Sequence, residues 1–171
     1  MIIITESLTE RQKNDVWELI KASDTEFVPP LSSRVDTTQT DLHGKSEKKE
    51  PTEYFESLLE QSFVLSVEDG RVIGFLSFRP DHRLKNEHGL DLICNYVSTI
   101  IVAKDQRRKG YTENMYRALI RSTRGKTIAT RTWSQNTAHI LLLEKLGFEL
   151  LMRIPDDRGE GIDTVYYAKG E

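Results

Sequence analysis

The stretch Tyr96-Val97-Ser98-Thr99-Ile100-Ile101-Val102, continued by Ala103-Lys104-Asp105-Gln106-Arg107-Arg108-Lys109-Gly110-Tyr111-Thr112, decides the fold. Val, Ile, Thr and Tyr dominate its first part, which has the composition of a buried strand. Behind the basic turn, Met115, Ala118 and Leu119 recur at helical spacing in a pattern that runs to Arg124. The order is strand, cationic turn, helix. Unpaired N–H groups at the start of such a helix converge on one point, and the helix dipole favours negative charge there, so a phosphate fits. Arg107, Arg108 and Lys109 add positive charge, and Gly110 permits a backbone geometry or a close ligand approach that a side chain would obstruct. Taken alone, the same turn also fits a solvated basic surface loop.

Upstream, Ile2 to Ile4 form a short strand, and Thr9-Glu10-Arg11-Gln12 is a capping box opening a helix with an apolar stripe of Val16, Trp17, Leu19 and Ile20. That helix ends near Ser23-Asp24. Phe27 to Pro51 is polar, irregular and punctuated by prolines, a long loop of the kind that serves either as a lid or binding loop or as mobile surface. Pro51 can open a second helix reaching about Gln61. Ser62 to Val67 and Val72 to Phe78 flank Asp69-Gly70, a strong hairpin signal, and Asp81 to Gly89 reads as a second polar loop. Downstream, Thr127 to Trp133 is a strand. Ser134 to Thr137 supply capping side chains for a helix carrying Ile140, Leu141, Leu143 and Leu146. Phe148 to Ile154 and Thr164 to Ala168 are closing strands.

A length of 171 residues suits one α/β domain spanning 1–171. With a net charge of −3 the chain lacks the global basic field that general nucleic-acid binding requires, so no nucleic-acid partner is expected. The one cysteine, Cys94, excludes an intramolecular disulfide framework and a multi-cysteine metal cluster, and fits a reducing compartment. On its strand it is a core hydrophobe before it is a nucleophile. His82 and His88 have no compact ligand cluster around them, and no metal is expected. The start has no charged leader and no segment is long enough to span a bilayer, which predicts a cytoplasmic protein without a membrane partner.

Two segments of the second half resemble the GNAT-family N-acetyltransferases of the acyl-CoA N-acyltransferase superfamily. Val102 followed by Arg107-Arg108-Lys109-Gly110-Tyr111-Thr112 is similar to that family's acyl-CoA pyrophosphate signature, Arg/Gln-x-x-Gly-x-Gly/Ala. Asn136 through Leu142, then Leu143-Glu144-Lys145-Leu146-Gly147-Phe148, is similar to its second signature, Asn followed by Tyr-Glu-Lys-Leu-Gly-Phe. With the hairpin before them and two strands after, the resemblance covers Phe63 to Lys169; the first third matches only in its strand-helix-helix order. It implies a central mixed β-sheet flanked by helices, with two splayed parallel strands holding acetyl-CoA. The pantetheine arm would pair with the backbone of Ile100, Ile101 and Val102, and Asn136 would hydrogen-bond it. The diphosphate would lie on the amides of Arg108, Lys109, Gly110, Tyr111 and Thr112, beside Arg107.

Two departures from the family pattern matter. Thr112 stands where the family has Gly or Ala, and Leu143 stands where it commonly has a Tyr that protonates the departing thiolate. A leucine cannot do so. A thiol with a pKa near about 8.5 leaves readily, and general acid catalysis is worth roughly 10²–10⁴-fold, so chemistry survives the loss. His139 lies one helical turn before Leu143 on the same face, which makes it the candidate catalytic proton-transfer group, with a purely structural role as the alternative. The resemblance thus implies direct attack of a primary amine of a small molecule or peptide on acetyl-CoA, without an acyl-enzyme. The alternative is an acyl-CoA-binding module or sensor that has lost catalysis. The Phe27 to Arg34 segment, apolar and stiffened by prolines, is expected to cover the acceptor.

Overall fold

The computed structural model describes residues 1–43 and 50–170. Seven strands form one sheet in the order β1-β2-β3-β4-β5-β7-β6. They are β1 (Ile2–Thr5), β2 (Ser62–Glu68), β3 (Arg71–Lys85), β4 (Asp91–Val102), β5 (Ile128–Trp133), β6 (Glu149–Ile154) and β7 (Thr164–Lys169). Neighbours are antiparallel except β4 and β5, which run parallel. Four helices flank the sheet: α1 (Glu10–Ser23), α2 (Thr52–Leu58), α3 (Tyr111–Ser122) and α4 (Thr137–Lys145).

The binary pattern of the strands places the helices. Phe63, Leu65, Val67, Phe75 and Ile101 face one side and bury Val16, Leu19 and Ile20 of α1 with Tyr54 and Leu58 of α2. Val64, Leu76, Val97, Val102 and Ile128 face the other, against Met115, Tyr116 and Leu119 of α3 and Leu143 of α4. The capping box holds as expected: the Thr9 hydroxyl accepts the Gln12 N–H at 3.2 Å and Gln12 Oε1 accepts the Thr9 N–H at 3.0 Å. In the β2–β3 turn both Asp69 and Gly70 adopt positive φ, 48° and 75°, the conformation for which Asp-Gly is selected.

Two expectations need correction, and one open alternative is narrowed. Asp81 to Gly89 is not a loop, because β3 continues to Lys85 and β4 begins at Asp91. A bulge between Arg79 and His82 absorbs the polar residues, and Asn86 closes the turn by accepting the N–H groups of His88 and Leu90 on Oδ1. Leu84 and Leu92 alternate with solvated polar side chains, so the composition of a one-sided hairpin imitates that of a loop. The second helix stops at Leu58 rather than Gln61, since the chain tightens there, with the Glu60 and Gln61 N–H groups bonding Ser57 and Leu58 carbonyls. The segment after α1 is also more than mobile surface. Short 3-10 turns span Asp24–Glu26 and Leu31–Ser33, and Leu31, Arg34, Thr37 and Leu42 are buried. Residues 44–49 of the expected loop lie outside the described residues.

Candidate active site

β4 and β5 pair only at Asn95–Ile128, Tyr96–Ala129 and Val97–Thr130. Immediately beyond, β4 accommodates an extra residue against β3: Phe78 opposes Val97 while the adjacent Ser77 opposes Thr99, leaving Ser98 as the bulge. A bulge bends its strand, and pairing with β5 ends at that bend. The two strands diverge into a cleft of about 650 Å³. Its β4 wall has a definite polarity. Ala103 N–H donates to the Ile73 carbonyl on β3 at 2.8 Å, so by strand alternation the N–H groups of Ile100 and Val102 point toward the cleft. The Val102 carbonyl on that same side accepts Arg107 Nε at 3.0 Å.

The phosphate-binding features lie where β4 gives way to α3. Arg108 and Gly110 both adopt left-handed backbone, φ 64° and 82°, which turns the chain so that Gly110 caps α3. The first helical bond runs from Asn114 N–H to the Gly110 carbonyl, and no side chain caps the helix. The N–H groups of Tyr111, Thr112 and Glu113 therefore face the cleft mouth without an intrahelical acceptor. Gly110 is needed for its φ and not for space, since an added Cβ would meet nothing within 4 Å. Glu113, in this first turn, would oppose an anion, but it is engaged by Lys145 and Arg117 at 2.8 Å each, which hold its carboxyl below the usual range. The donor set suits a diphosphate: convergent amides, a helix N-terminus and the exposed Arg108 guanidinium, which makes no hydrogen bond or ion pair with the described residues.

Ile100, Ile101, Val102, Arg107, Arg108, Gly110, Tyr111, Thr112, Asn136 and His139 all line this cleft; Lys109 does not, its ammonium being turned to Gln106 Oε1 at 3.1 Å. Arg107 also has protein partners. Besides Val102, its guanidinium reaches Ser23 Oγ and pairs with Glu26 at 2.8 Å, tying α1 and the turn after it to the end of β4. Asn136 does not cap α4, and neither does any other side chain. Its Nδ2 donates to Thr132 Oγ1 at 3.0 Å, which leaves its amide oxygen as an acceptor toward the cleft.

His139 Nε2 lies 2.7 Å from the hydroxyl of Tyr116, a side chain with no exposed surface. The Thr130 hydroxyl, next to the Tyr116 phenol, donates to the Val97 carbonyl at 2.9 Å. Burial lowers the His139 pKa to about 4, so the ring is neutral at physiological pH. Leu143 is fully buried and lies beneath the cleft floor, in the same core as Tyr116. Cys94 is buried away from the cleft, and desolvation raises its thiol to about 11.

Several cleft residues carry no family motif. Phe27 stacks on Trp133 with ring centroids 5.7 Å apart, and Arg34, Arg131 and Arg158 line the cleft from three segments. Arg131 had a signal in the sequence, a charge in the middle of a buried strand; the other two had none. Among the described residues no His, Cys, Asp and Glu side chains group in a way that could hold a metal ion, and no helix is long and apolar enough to cross a membrane.

Comparison with known proteins agrees with this geometry. A putative GNAT-family acetyltransferase from Desulfovibrio desulfuricans superposes with a TM-score of 0.69 at 14% identity, over 99% of each chain. YncA, a putative acetyltransferase from Salmonella typhimurium solved with acetyl-CoA, gives 0.64 at 18% identity, over 99% of this chain and 94% of that one. NAA60 from Arabidopsis thaliana, solved with a bisubstrate analogue, gives 0.67 at 13% identity, over 99% of this chain and 98% of that one. Curated proteins contain no significant sequence match. The sequence profile described as "Acetyltransferase (GNAT) family" matches residues 31–148, and with a mixed sheet that splays at the expected strand pair, the chain belongs to the GNAT acetyltransferase family.

Proposed function

We propose that this protein transfers an acetyl group from acetyl-CoA to a primary amine of a small molecule or peptide by direct attack, within one domain spanning residues 1–171. The observation that carries the reading is the splay of β4 from β5 beside the uncapped N-terminus of α3. Bound acetyl-CoA would supply an activated thioester. The Ile100 and Val102 N–H groups and the Asn136 amide oxygen hold the pantetheine arm, while Arg108 and the amides of Tyr111 and Thr112 hold the diphosphate. Thr112 adds a hydroxyl donor where the family usually has no side chain.

His139 is the proton carrier in this reading. The Tyr116 hydroxyl at 2.7 Å from Nε2 orients the ring; in this reading Nε2 carries the hydrogen, and Nδ1 accepts a proton from the attacking nitrogen as the carbon–nitrogen bond forms and that N–H becomes acidic. The imidazolium so formed has a pKa of about 4, well below a thiol near about 8.5, so passing the proton to the departing sulfur is downhill. Cys94 takes no part, because its thiol is buried and protonated. The same inert thiol supports a cytoplasmic setting.

Free-thiol release from acetyl-CoA, measured with and without a panel of primary amines, tests the proposal. Amine-dependent release with formation of the N-acetyl product is the expected result. Binding of acetyl-CoA with no amine-dependent release would assign the chain instead to acyl-CoA binding without catalysis.

A further inference from the structure

Arg34, Arg131 and Arg158 reach the same end of the cleft from separate segments: the Leu31–Ser33 turn, the middle of β5 and the connection between β6 and β7. Each guanidinium is held by only part of its donor set. Arg34 Nε and Nη2 donate to the Pro29 carbonyl, Arg131 Nη2 to the Gln39 carbonyl, and Arg158 Nε and Nη1 to Thr164 Oγ1 and the Val28 carbonyl. A guanidinium has five N–H donors, so each keeps unused ones. These donors are not sealed in protein, since the only fully buried side-chain N or O atoms without a partner among the described residues are Ser66 Oγ and Arg79 Nε.

The charge at this end is unbalanced. Arg34 and Arg158 are only 6% and 7% exposed, yet the ion pairs among the described residues include none of the three. Nearby carboxylates are engaged elsewhere: Asp24 accepts the Ser32 N–H, Asp157 accepts the Thr164 hydroxyl, and Glu26 pairs with Arg107 and Lys104. The adjoining Tyr96 phenol is pushed up to about 12 by burial and carries no charge. Burial, with Arg34 and Arg131 as neighbours, lowers the Arg158 pKa, which places all three cations in one field. Three cations gathered this way, pre-oriented and without a direct ion pair among the described residues, outnumber the nearby carboxylates Asp24 and Asp157 and form a receptor for an oxyanion.

The position separates this receptor from the diphosphate. Arg131 and Trp133 alternate with Thr130 and Thr132 along β5, and Thr130 faces Tyr116 of α3, so Arg131 points to the opposite side of the sheet. We propose that Arg34, Arg131 and Arg158 bind an oxyanion of the acceptor, so that the acceptor is a primary amine carrying a carboxylate or a phosphate. This rests on the acetyl-transfer reading and narrows it. The Phe27–Trp133 stack beside the cations then forms the apolar wall along which the acceptor lies.

Matched acceptors that differ only in charge test it: alanine against alaninamide, glutamate against its diamide, phosphoethanolamine against ethanolamine. The expected result is that the anionic member of at least one pair has a kcat/KM about 100-fold or more above its neutral partner, and the carboxylate and phosphate arms identify the group. Arg131→Gln should shrink that preference to below about 10-fold with the KM for acetyl-CoA unchanged, and Arg131→Lys should restore part of it. A merely structural Arg131 would leave the preference intact. Calorimetric titration of glutarate and of inorganic phosphate into protein saturated with CoA gives an independent readout; at least one should bind, and Arg131→Gln should weaken it about tenfold or more. Transfer without charge preference, or no anion binding, overturns the acceptor assignment and leaves the transferase reading standing. Anion binding without acetylation of any amine removes the transferase reading instead.

Discussion

Gly110 offers a substitution pair that isolates charge from geometry. Its φ is 82° and an added Cβ would touch nothing within 4 Å, so any replacement is resisted by backbone conformation alone. Asparagine and aspartate tolerate left-handed backbone better than other L-residues and both favour the N-cap position, so Gly110→Asn and Gly110→Asp should cost similar stability, about 1–2 kcal/mol before any capping gain. They differ by one negative charge placed where the Tyr111 and Thr112 amides converge. At an effective dielectric of about 20 and about 5 Å, each phosphate charge is repelled by about 3 kcal/mol. Salt screens part of this at an exposed turn, and a diphosphate carries at least two charges, so a net loss of about 3 kcal/mol remains a conservative figure. That is about 100-fold in Kd. Calorimetry with acetyl-CoA at fixed ionic strength should show Gly110→Asn within about tenfold of the parent and Gly110→Asp weakened about 100-fold or more, with similar melting temperatures. Equal affinities in the two variants would refute phosphate binding at this helix start.

Other predictions concern the floor and the wall of the cleft. His139→Gln should lower turnover about 10²-fold while acetyl-CoA affinity holds, and Leu143→Tyr should not rescue it, because position 143 is fully buried and overpacking costs about 1–3 kcal/mol. His139 also shapes acid stability: the unfolded chain takes up its proton near pH 6.5 and the folded chain only near about 4, so stability falls across that window on acidification. The loss is at most about 3 kcal/mol, and urea titrations of His139→Gln should show a flatter profile between those pH values. Phe27→Ser should raise the KM for the amine and leave that for acetyl-CoA alone, whereas Leu31→Ser, at a position with no exposed surface, should destabilise the protein by about 2–5 kcal/mol, read from its melting temperature. Cys94→Ala should keep full activity, and the native thiol should resist iodoacetamide at neutral pH.

The sequence was most legible where chemistry dictates local backbone. Thr9 with Gln12 announced α1, Asp69-Gly70 announced the β2–β3 hairpin, and the step from Val102 through Gly110 announced the cleft. The Ser98 bulge that opens the cleft was invisible, because a strand apolar on both faces has no alternation for an inserted residue to disturb. Partners stayed hidden at Arg107 and Lys109: a basic run shows its charges and not what they touch, and Glu26, 81 residues before Arg107, and Gln106 bond these side chains. Arg34 and Arg158 looked like ordinary loop residues, since their burial follows from tertiary closure of the Phe27–Arg34 segment over β5.

A crystal structure of the protein grown with CoA would show whether the opening between β4 and β5 is the acetyl-CoA site. The diphosphate should lie on the Tyr111 and Thr112 amides beside Arg108, and the pantetheine arm along Ile100 to Val102. CoA held elsewhere, or a diphosphate seated on Arg34, Arg131 and Arg158, would contradict this assignment.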